Sequence, residues 1–203
     1  MKINFPLPND GKYHQYCQKC YSENIHRILE GEKTFYLCDN CGDKSPRLIV
    51  IDPGIIWWID QKTQEYWHES VGVFIFNKDG KALFFERIIY PFKLTIPAGH
   101  LDIGESVVGA IKREIQEEVG LIINDIKLFT SENILGDECR RGADNHKWHL
   151  FTAQIDNIDN IKINDEGVHP SWLSLDEALQ KDIVYPVRYF IEKYGINLYD
   201  INF

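Results

Sequence analysis

Residues 99–121 read Gly99-His100-Leu101-Asp102-Ile103-Gly104-Glu105, then seven residues, then Arg113-Glu114-Ile115-Gln116-Glu117-Glu118-Val119-Gly120-Leu121. The pattern predicts a loop from Gly99 to Glu105, then a helix from about Ser106 to Val119, closed by Gly120 in the usual C-terminal position. At 100° per residue, Val108, Ile111, Ile115 and Val119 share one apolar stripe. Glu114, Glu117 and Glu118 stand at i, i+3 and i+4, so their carboxylates converge along one edge of the helix. Glu118 lies almost in line with the stripe, which predicts partial desolvation. Three anions so placed repel one another, and the helix dipole disfavours them near a C-terminus. A hard divalent cation with oxygen ligands offsets this directly. Arg113, four residues before Glu117, is placed to pair with a carboxylate and hold its rotamer. Three glutamates alone more often form a solvated face; the glycines, Glu105 and Arg113 at fixed positions around them argue for a site.

Outward from this segment, residues 55–59 and 71–77 are rich in β-branched and aromatic residues and read as strands. Asn77-Lys78-Asp79-Gly80 is a turn signal, and Ala82 to Ile88 completes a hairpin. Leu94 to Pro97, Ile122 to Phe129 and Trp148 to Ile155 read as further strands. Ser174 opens a capped helix, and Tyr185-Pro186 begins another that runs to about Tyr194. Mixed strands and helices place the chain in the α+β class.

Hydrophobic residues make up 44% and charged residues 26% of the 203, the balance of an ordinary globular protein. No run reaches the ~18 apolar residues of a membrane span, and Met1-Lys2-Ile3-Asn4-Phe5-Pro6 lacks the features of a secretory signal. The expectation is a cytoplasmic protein without a membrane anchor. The net charge is −9. Residues 1–50 are nearly neutral, so the excess acid lies in the remainder, which argues against nucleic acid as a partner and suits a protein that holds divalent cations.

Four of the five cysteines form Cys17-x2-Cys20 and Cys38-x2-Cys41 around a 17-residue interval. This spacing fits a tetrahedral Zn²⁺ site at the ends of a short hairpin, structural because all four positions are filled; two disulfides, disfavoured by a cytoplasmic redox poise, and an iron–sulfur or redox role, without the usual flanking pattern, are the alternatives. Cys139 stands alone and reads as a small core or loop residue, and His100 as a loop residue. Residues 137–149 are dense in functional groups. Arg140 and Arg141 are candidate clamps for phosphate oxygens, and His146 and His149 candidate acids, bases or substrate contacts. A polar hairpin loop without a role is the competing reading.

Residues 99–121 match the pattern G-x5-E-x7-R-E-U-x-E-E-x-G-U, with U a bulky aliphatic residue, at every specified position, and Ile96-Pro97-Ala98-Gly99 resembles its usual lead-in. The chain thus resembles the Nudix hydrolase family. The resemblance implies an α/β/α sandwich with a mixed sheet and hydrolysis of a pyrophosphate bond with Mg²⁺ or Mn²⁺. It also implies that Glu114 and Glu118 are metal ligands and that Glu117 is a ligand or the group that activates water. Gly99 would contribute its carbonyl, and Glu105 with Arg113 would steady the loop. Asn164-Asp165-Glu166 resembles the family segment that brings a further acid to the metals, which makes Glu166 a candidate ligand. A ribbon upstream of such a domain resembles the zinc-ribbon NADH pyrophosphatase subgroup. The Ser-Gln-Pro-Trp-Pro-Phe-Pro-like motif of that subgroup is replaced here by Thr130-Ser131-Glu132-Asn133-Ile134-Leu135-Gly136. The expected substrate is therefore a nucleoside diphosphate linked to another moiety, of dinucleotide, ADP-ribose or nucleotide-sugar type.

The expected organisation is a zinc ribbon at 12–46, a connecting segment at 47–69 and a Nudix domain at 70–203. Homodimerisation is a further expectation, since many relatives pair. The alternative function is a nucleotide-sensing or partner-binding module without turnover. A weaker option is RNA-end processing, to which the near-neutral N-terminal region lends little support.

Overall fold

A computed structural model describes residues 3, 5–156 and 161–199. Its strands are β1 (His14–Tyr16), β2 (Ile25–Glu30), β3 (Lys33–Cys38), β4 (Lys44–Ser45), β5 (Ile49–Ile51), β6 (Trp57–Ile59), β7 (Tyr66–Asn77), β8 (Ala82–Arg87), β9 (Leu94–Thr95), β10 (Ala98–His100), β11 (Ile126–Leu135), β12 (Asn145–Ile155) and β13 (Gly167–Leu173). The helices are α1 (Val107–Val119), α2 (Leu175–Leu179) and α3 (Tyr185–Tyr194).

The central sheet runs in the order β11-β12-β7-β8-β13, with β6 and β10 also pairing β7 and β9 pairing β8. β12 lies parallel to β7 and the other pairings are antiparallel, so the sheet is mixed. Successive side chains of a strand face opposite ways. Val71, Val73 and Ile75 of β7 accordingly pack with Ile111, Ile115 and Val119 of α1. Phe74 and Phe76 pack on the other face with Val187, Phe190 and Ile191 of α3. Helices on both faces make the α/β/α sandwich of the Nudix fold.

β2, β3 and β4 form a separate small sheet, with Cys38 at the end of β3, Cys41 in the turn to β4, and Cys17 and Cys20 between β1 and β2. It is joined to the main body where the Thr34 N–H donates to the Ile88 carbonyl at 3.0 Å and Phe35 meets Phe92. The segment set down as a connector, 47–69, holds β5, β6 and the start of β7. The Tyr66 hydroxyl donates to the Val50 carbonyl at 2.6 Å, and Ile49, Ile51, Tyr66 and Ala143 share a small core. The sheet therefore begins before residue 70, because Trp57–Ile59 and Tyr66–Glu69 supply paired backbone to it.

Other expectations shift locally. Ala98–His100 is a short strand on β7 rather than part of a loop. The strand expected from Ile122 starts at Ile126, and Ile122 is exposed. Val108, expected on the buried stripe, is 43% exposed. The buried arc of α1 is centred nearer Glu118 and runs through Ala110, Ile111, Ile115 and Val119, so Val108 overhangs it at the first turn.

Candidate active site

α1 begins where the Ser106 side chain accepts from the Gly109 N–H and ends at Gly120, whose left-handed backbone (φ 70°) sends its N–H back to the Gln116 carbonyl. Its carboxylates differ sharply in exposure. Glu114 and Glu118 are 8% and 5% exposed, within the buried arc, while the Glu117 side chain is 58% exposed. The Ala98 N–H donates to Glu118 Oε2 at 2.8 Å, locking the end of the helix to the β9–β10 crossing. Gly99 makes this approach feasible, since a Cβ there would stand 1.9 Å from Glu114 Oε1.

Arg113 threads the group together. Its Nε and Nη2 donate to the two oxygens of Glu105 at 3.2 and 2.9 Å, a bidentate fork, and Nη1 donates to Glu114 at 2.7 Å. Nη1 also reaches Glu117 at 3.3 Å, and Nη2 reaches the His100 carbonyl at 3.2 Å. The hydrogen bonds it donates to Glu105, followed by the charge of Glu114, raise the Arg113 pKa above its ordinary value. Burial raises the Glu114 pKa against the opposing charge of Arg113. Burial pushes Glu118 up to about 8, only partly offset by Arg87, with Glu114 adding repulsion. Buried carboxyls with pKa values raised in this way, despite Arg113 and Arg87 nearby, are characteristic of functional sites.

These groups line a cavity of about 490 Å³, together with Gly99, Glu166, Arg87, Arg140, Arg141 and His146. A cavity of this size suits a small ligand. Glu166 lines the cavity with the α1 carboxylates from the loop before β13, with Arg140 Nη2 3.8 Å from its carboxylate. Arg140 also donates to the Tyr36 hydroxyl at 2.8 Å, which links the small sheet to the cavity wall. Arg141 lines the cavity but is paired to Asp52 at 2.6 Å. His146 is 2% exposed, with Nδ1 held by the Asp137 carbonyl at 2.8 Å. His149 is absent from the lining; it sits between Ser131 and Glu69, at 2.7 and 2.6 Å. Alternation along β12 explains the split, since 146 and 149 face opposite sides of the sheet.

Sequence reasoning missed Arg87 at the end of β8, whose buried Nε has no partner among the described residues and which lies close enough to Glu118 to lower its pKa. Nothing local to Glu86-Arg87-Ile88 signals this. The position follows from β8 ending at the cavity.

At the small sheet, Cys17 and Cys41 sulfurs are 3.7 Å apart and those of Cys20 and Cys38 3.6 Å. A zinc tetrahedron with Zn–S bonds of ~2.3 Å has edges of ~3.8 Å. All four sulfurs lie within 4.8 Å of one another, so the cluster is compatible with a zinc ribbon. Among the described residues no helix is long and apolar enough to cross a membrane.

Comparison with known proteins points the same way. An RNA pyrophosphohydrolase of Shewanella frigidimarina (strain NCIMB 400) is 32% identical over 130 residues, covering 59% of this chain and 73% of that protein. An ADP-ribose pyrophosphatase of Methanocaldococcus jannaschii is 43% identical over 65 residues, 30% of this chain and 38% of that one. The solved NUDIX domain of Shewanella oneidensis NrtR, complexed with ADP ribose, matches in fold with a TM-score of 0.55 at 20% identity, over 68% of this chain and 93% of that chain. The NUDIX domain family matches residues 66–194, which take in the carboxylate helix, the cavity and α3. With the box intact on its helix and the family's domain spanning most of the chain, this protein is a member of the Nudix hydrolase family.

Proposed function

We propose that the chain hydrolyses the pyrophosphate bond of a nucleoside diphosphate linked to a second moiety, of dinucleotide, ADP-ribose or nucleotide-sugar type, and requires Mg²⁺ or Mn²⁺. The observation that carries this reading is the pair of buried carboxylates, Glu114 and Glu118, facing a ligand-sized cavity beside the Gly99 backbone. The donor set fits a hard divalent ion: carboxylate oxygens of Glu114, Glu117, Glu118 and Glu166 and the Gly99 carbonyl. When bound, the ion neutralises charge on the phosphates and acidifies a ligated water.

The chain's own residues divide the remaining work. Arg113 fixes the rotamer of Glu114 and ties the loop through Glu105. Glu117, at the solvent edge, accepts the proton of the attacking water. Arg140 and Arg87 grip phosphate oxygens, and Arg141 supports the wall through Asp52. The cysteine quartet holds a structural Zn²⁺, which sets Tyr36 against Arg140.

A panel of NADH, ADP-ribose, nucleotide-sugars, dinucleoside polyphosphates, deoxynucleoside triphosphates and 5′-triphosphorylated RNA, with products separated by chromatography, tests the reading. Release of a nucleoside monophosphate from a diphosphate-linked substrate is expected with Mg²⁺ or Mn²⁺ and not with chelator. The RNA arm is included because of the pyrophosphohydrolase relative, and preferential turnover there would overturn the substrate class. Tight nucleotide binding without turnover at any metal concentration would overturn hydrolysis in favour of sensing.

A further inference from the structure

We propose that His68, His100, Cys139 and His146 form a second zinc site, separate from the cysteine quartet and from the carboxylates of α1. One donor atom from each lies within 4.8 Å of all the others. His68 Nδ1 is 3.6 Å from Cys139 Sγ. Tetrahedral zinc with bonds of ~2.3 Å to sulfur and ~2.05 Å to nitrogen sets such a pair ~3.6 Å apart. The rings of His100 and His146 meet His68 edge to face, at angles of 79° and 83° and centroid distances of 4.8 and 5.6 Å. The His100 and His146 rings lie 5.8 Å apart and tilted by 36°, so no two of the three imidazoles stack face to face.

The surroundings complete the arrangement. His146 Nδ1 lies 2.8 Å from the Asp137 carbonyl and 3.1 Å from its carboxylate, which also accepts from Trp148 Nε1 at 2.6 Å. Those acceptors assign the proton to Nδ1 and leave the Nε2 lone pair for the cluster, the carboxylate–histidine relation found around ligated zinc. A divalent ion with one thiolate and three neutral imidazoles carries one residual positive charge, and Asp137 balances it.

A metal-free hydrogen-bonded knot is the competing arrangement, and it satisfies the groups poorly. A thiol is a weak donor with a single proton, shared among three rings that face it. His68 is fully buried, and its Nε2 has no partner among the described residues. That nitrogen is unpaired with or without an ion; what zinc relieves is His68 Nδ1, which otherwise meets only the weak thiol donor of Cys139. Nitrogen and thiolate donors select zinc over magnesium, and four protein ligands leave no open position, so the role is structural.

What the ion would hold follows from where its ligands sit. They come from β7, β10, β12 and the loop between β11 and β12. That loop is clasped on its other side: Arg47 donates to the Cys139 and Ala143 carbonyls at 2.9 and 3.0 Å, and Leu48 and Val50 N–H groups donate to the Arg140 and Arg141 carbonyls. Zinc at Cys139 and His100 would fix the inner side of the loop, and with it the neighbouring Arg140 and Gly99 that border the cavity. His146 then belongs to the wall as a ligand and not to the substrate. Neither substrate nor turnover enters this inference.

The test is metal content of the purified full-length protein after exchange into excess Mg²⁺ to clear weakly held ions. Elemental analysis is expected to give about two zinc per chain, falling to about one in Cys139→Ala and in His146→Ala. About one zinc in the wild type, unchanged by Cys139→Ala, would overturn the site. Should the variants fail to fold, zinc-edge X-ray absorption of the wild type decides alone. A mean first shell of about 2.5 sulfur and 1.5 nitrogen is expected when one ion has four cysteine ligands and the other has one cysteine and three histidines; an all-sulfur shell would overturn it.

Discussion

Two groups of donors border the same cavity, and they are assembled in opposite ways. The carboxylates Glu114, Glu117 and Glu118 sit within five residues on one helix, so helix geometry alone brings them together. His68, His100, Cys139 and His146 come from four segments and meet only because β12 runs parallel to β7 with His146 opposite His68, and β10 pairs β7 with His100 opposite Ser70. The first group is hard oxygen, open to the cavity and under-neutralised; the second is nitrogen and sulfur, packed in the wall. If, as proposed, the first works on a ligand and the second holds the scaffold still, each can be damaged without the other.

The strongest way to break that independence is Glu118→Gln. It removes the charge of the proposed metal ligand while keeping shape and the acceptor for the Ala98 N–H. Loss of several kcal/mol of metal-borne stabilisation corresponds to a fall in kcat of about 10³-fold. Steady-state kinetics with Mg²⁺ measures it, and zinc content should not move. Zinc lost together with activity would mean the two regions form one unit.

Gly99→Ala is a finer probe, because residue 99 touches the carboxylates and residue 100 belongs to the other group. A Cβ would fall 2.0 Å from the Glu114 carboxyl carbon, so the carboxylate or β10 must shift. A displacement of about 1 Å at a metal ligand lowers turnover by about 10²-fold. If the carboxylate yields, zinc content is unchanged; if β10 yields, His100 moves with it and zinc content falls. Kinetics and elemental analysis of the same preparation distinguish the two.

The same contrast explains what the sequence disclosed. The helix, its start near Ser106, its stop at Gly120 and the spacing of its glutamates follow from short-range pattern, and the structure places them as expected. The hairpin of β7 and β8 and the capping box at Ser174–Glu177 are equally local. Arg87 and the grouping of His100 with Cys139 were not legible, since strand register between residues far apart in the chain carries no single-sequence signature. His100 and Cys139 read as incidental residues for that reason. The start of the main sheet was missed because β6 is only three residues long and the sequence around it, Trp57-Trp58-Ile59-Asp60, does not disclose its partner. Val108 shares the angular position of the buried Ile115 and Val119, and its exposure comes from its place in the first turn, which the stripe alone does not disclose.

The smallest expected effect contrasts two carboxylates with opposite pH signatures. Burial alone would raise Glu132, but hydrogen bonds from Lys193, Tyr194 and Tyr189 together outweigh it and hold the pKa at about 2, against 4.5 when unfolded. A depressed folded pKa contributes stability that is present above pH 4.5 and is lost as pH falls towards 2. Solvent screening keeps this contribution small. Glu118 is raised to about 8 in the metal-free chain, so its contribution is present below 4.5 and is lost as pH rises through 8. Thermal melts across this range should show both limbs, with Glu132→Gln flattening the acid one and Glu118→Gln the alkaline one. Added Mg²⁺ should restore the alkaline limb alone, because it answers the charge on α1 and has no purchase at β11. An acid limb that also responded to Mg²⁺ would show that the ion binds elsewhere, and the carboxylate helix would lose its claim to it.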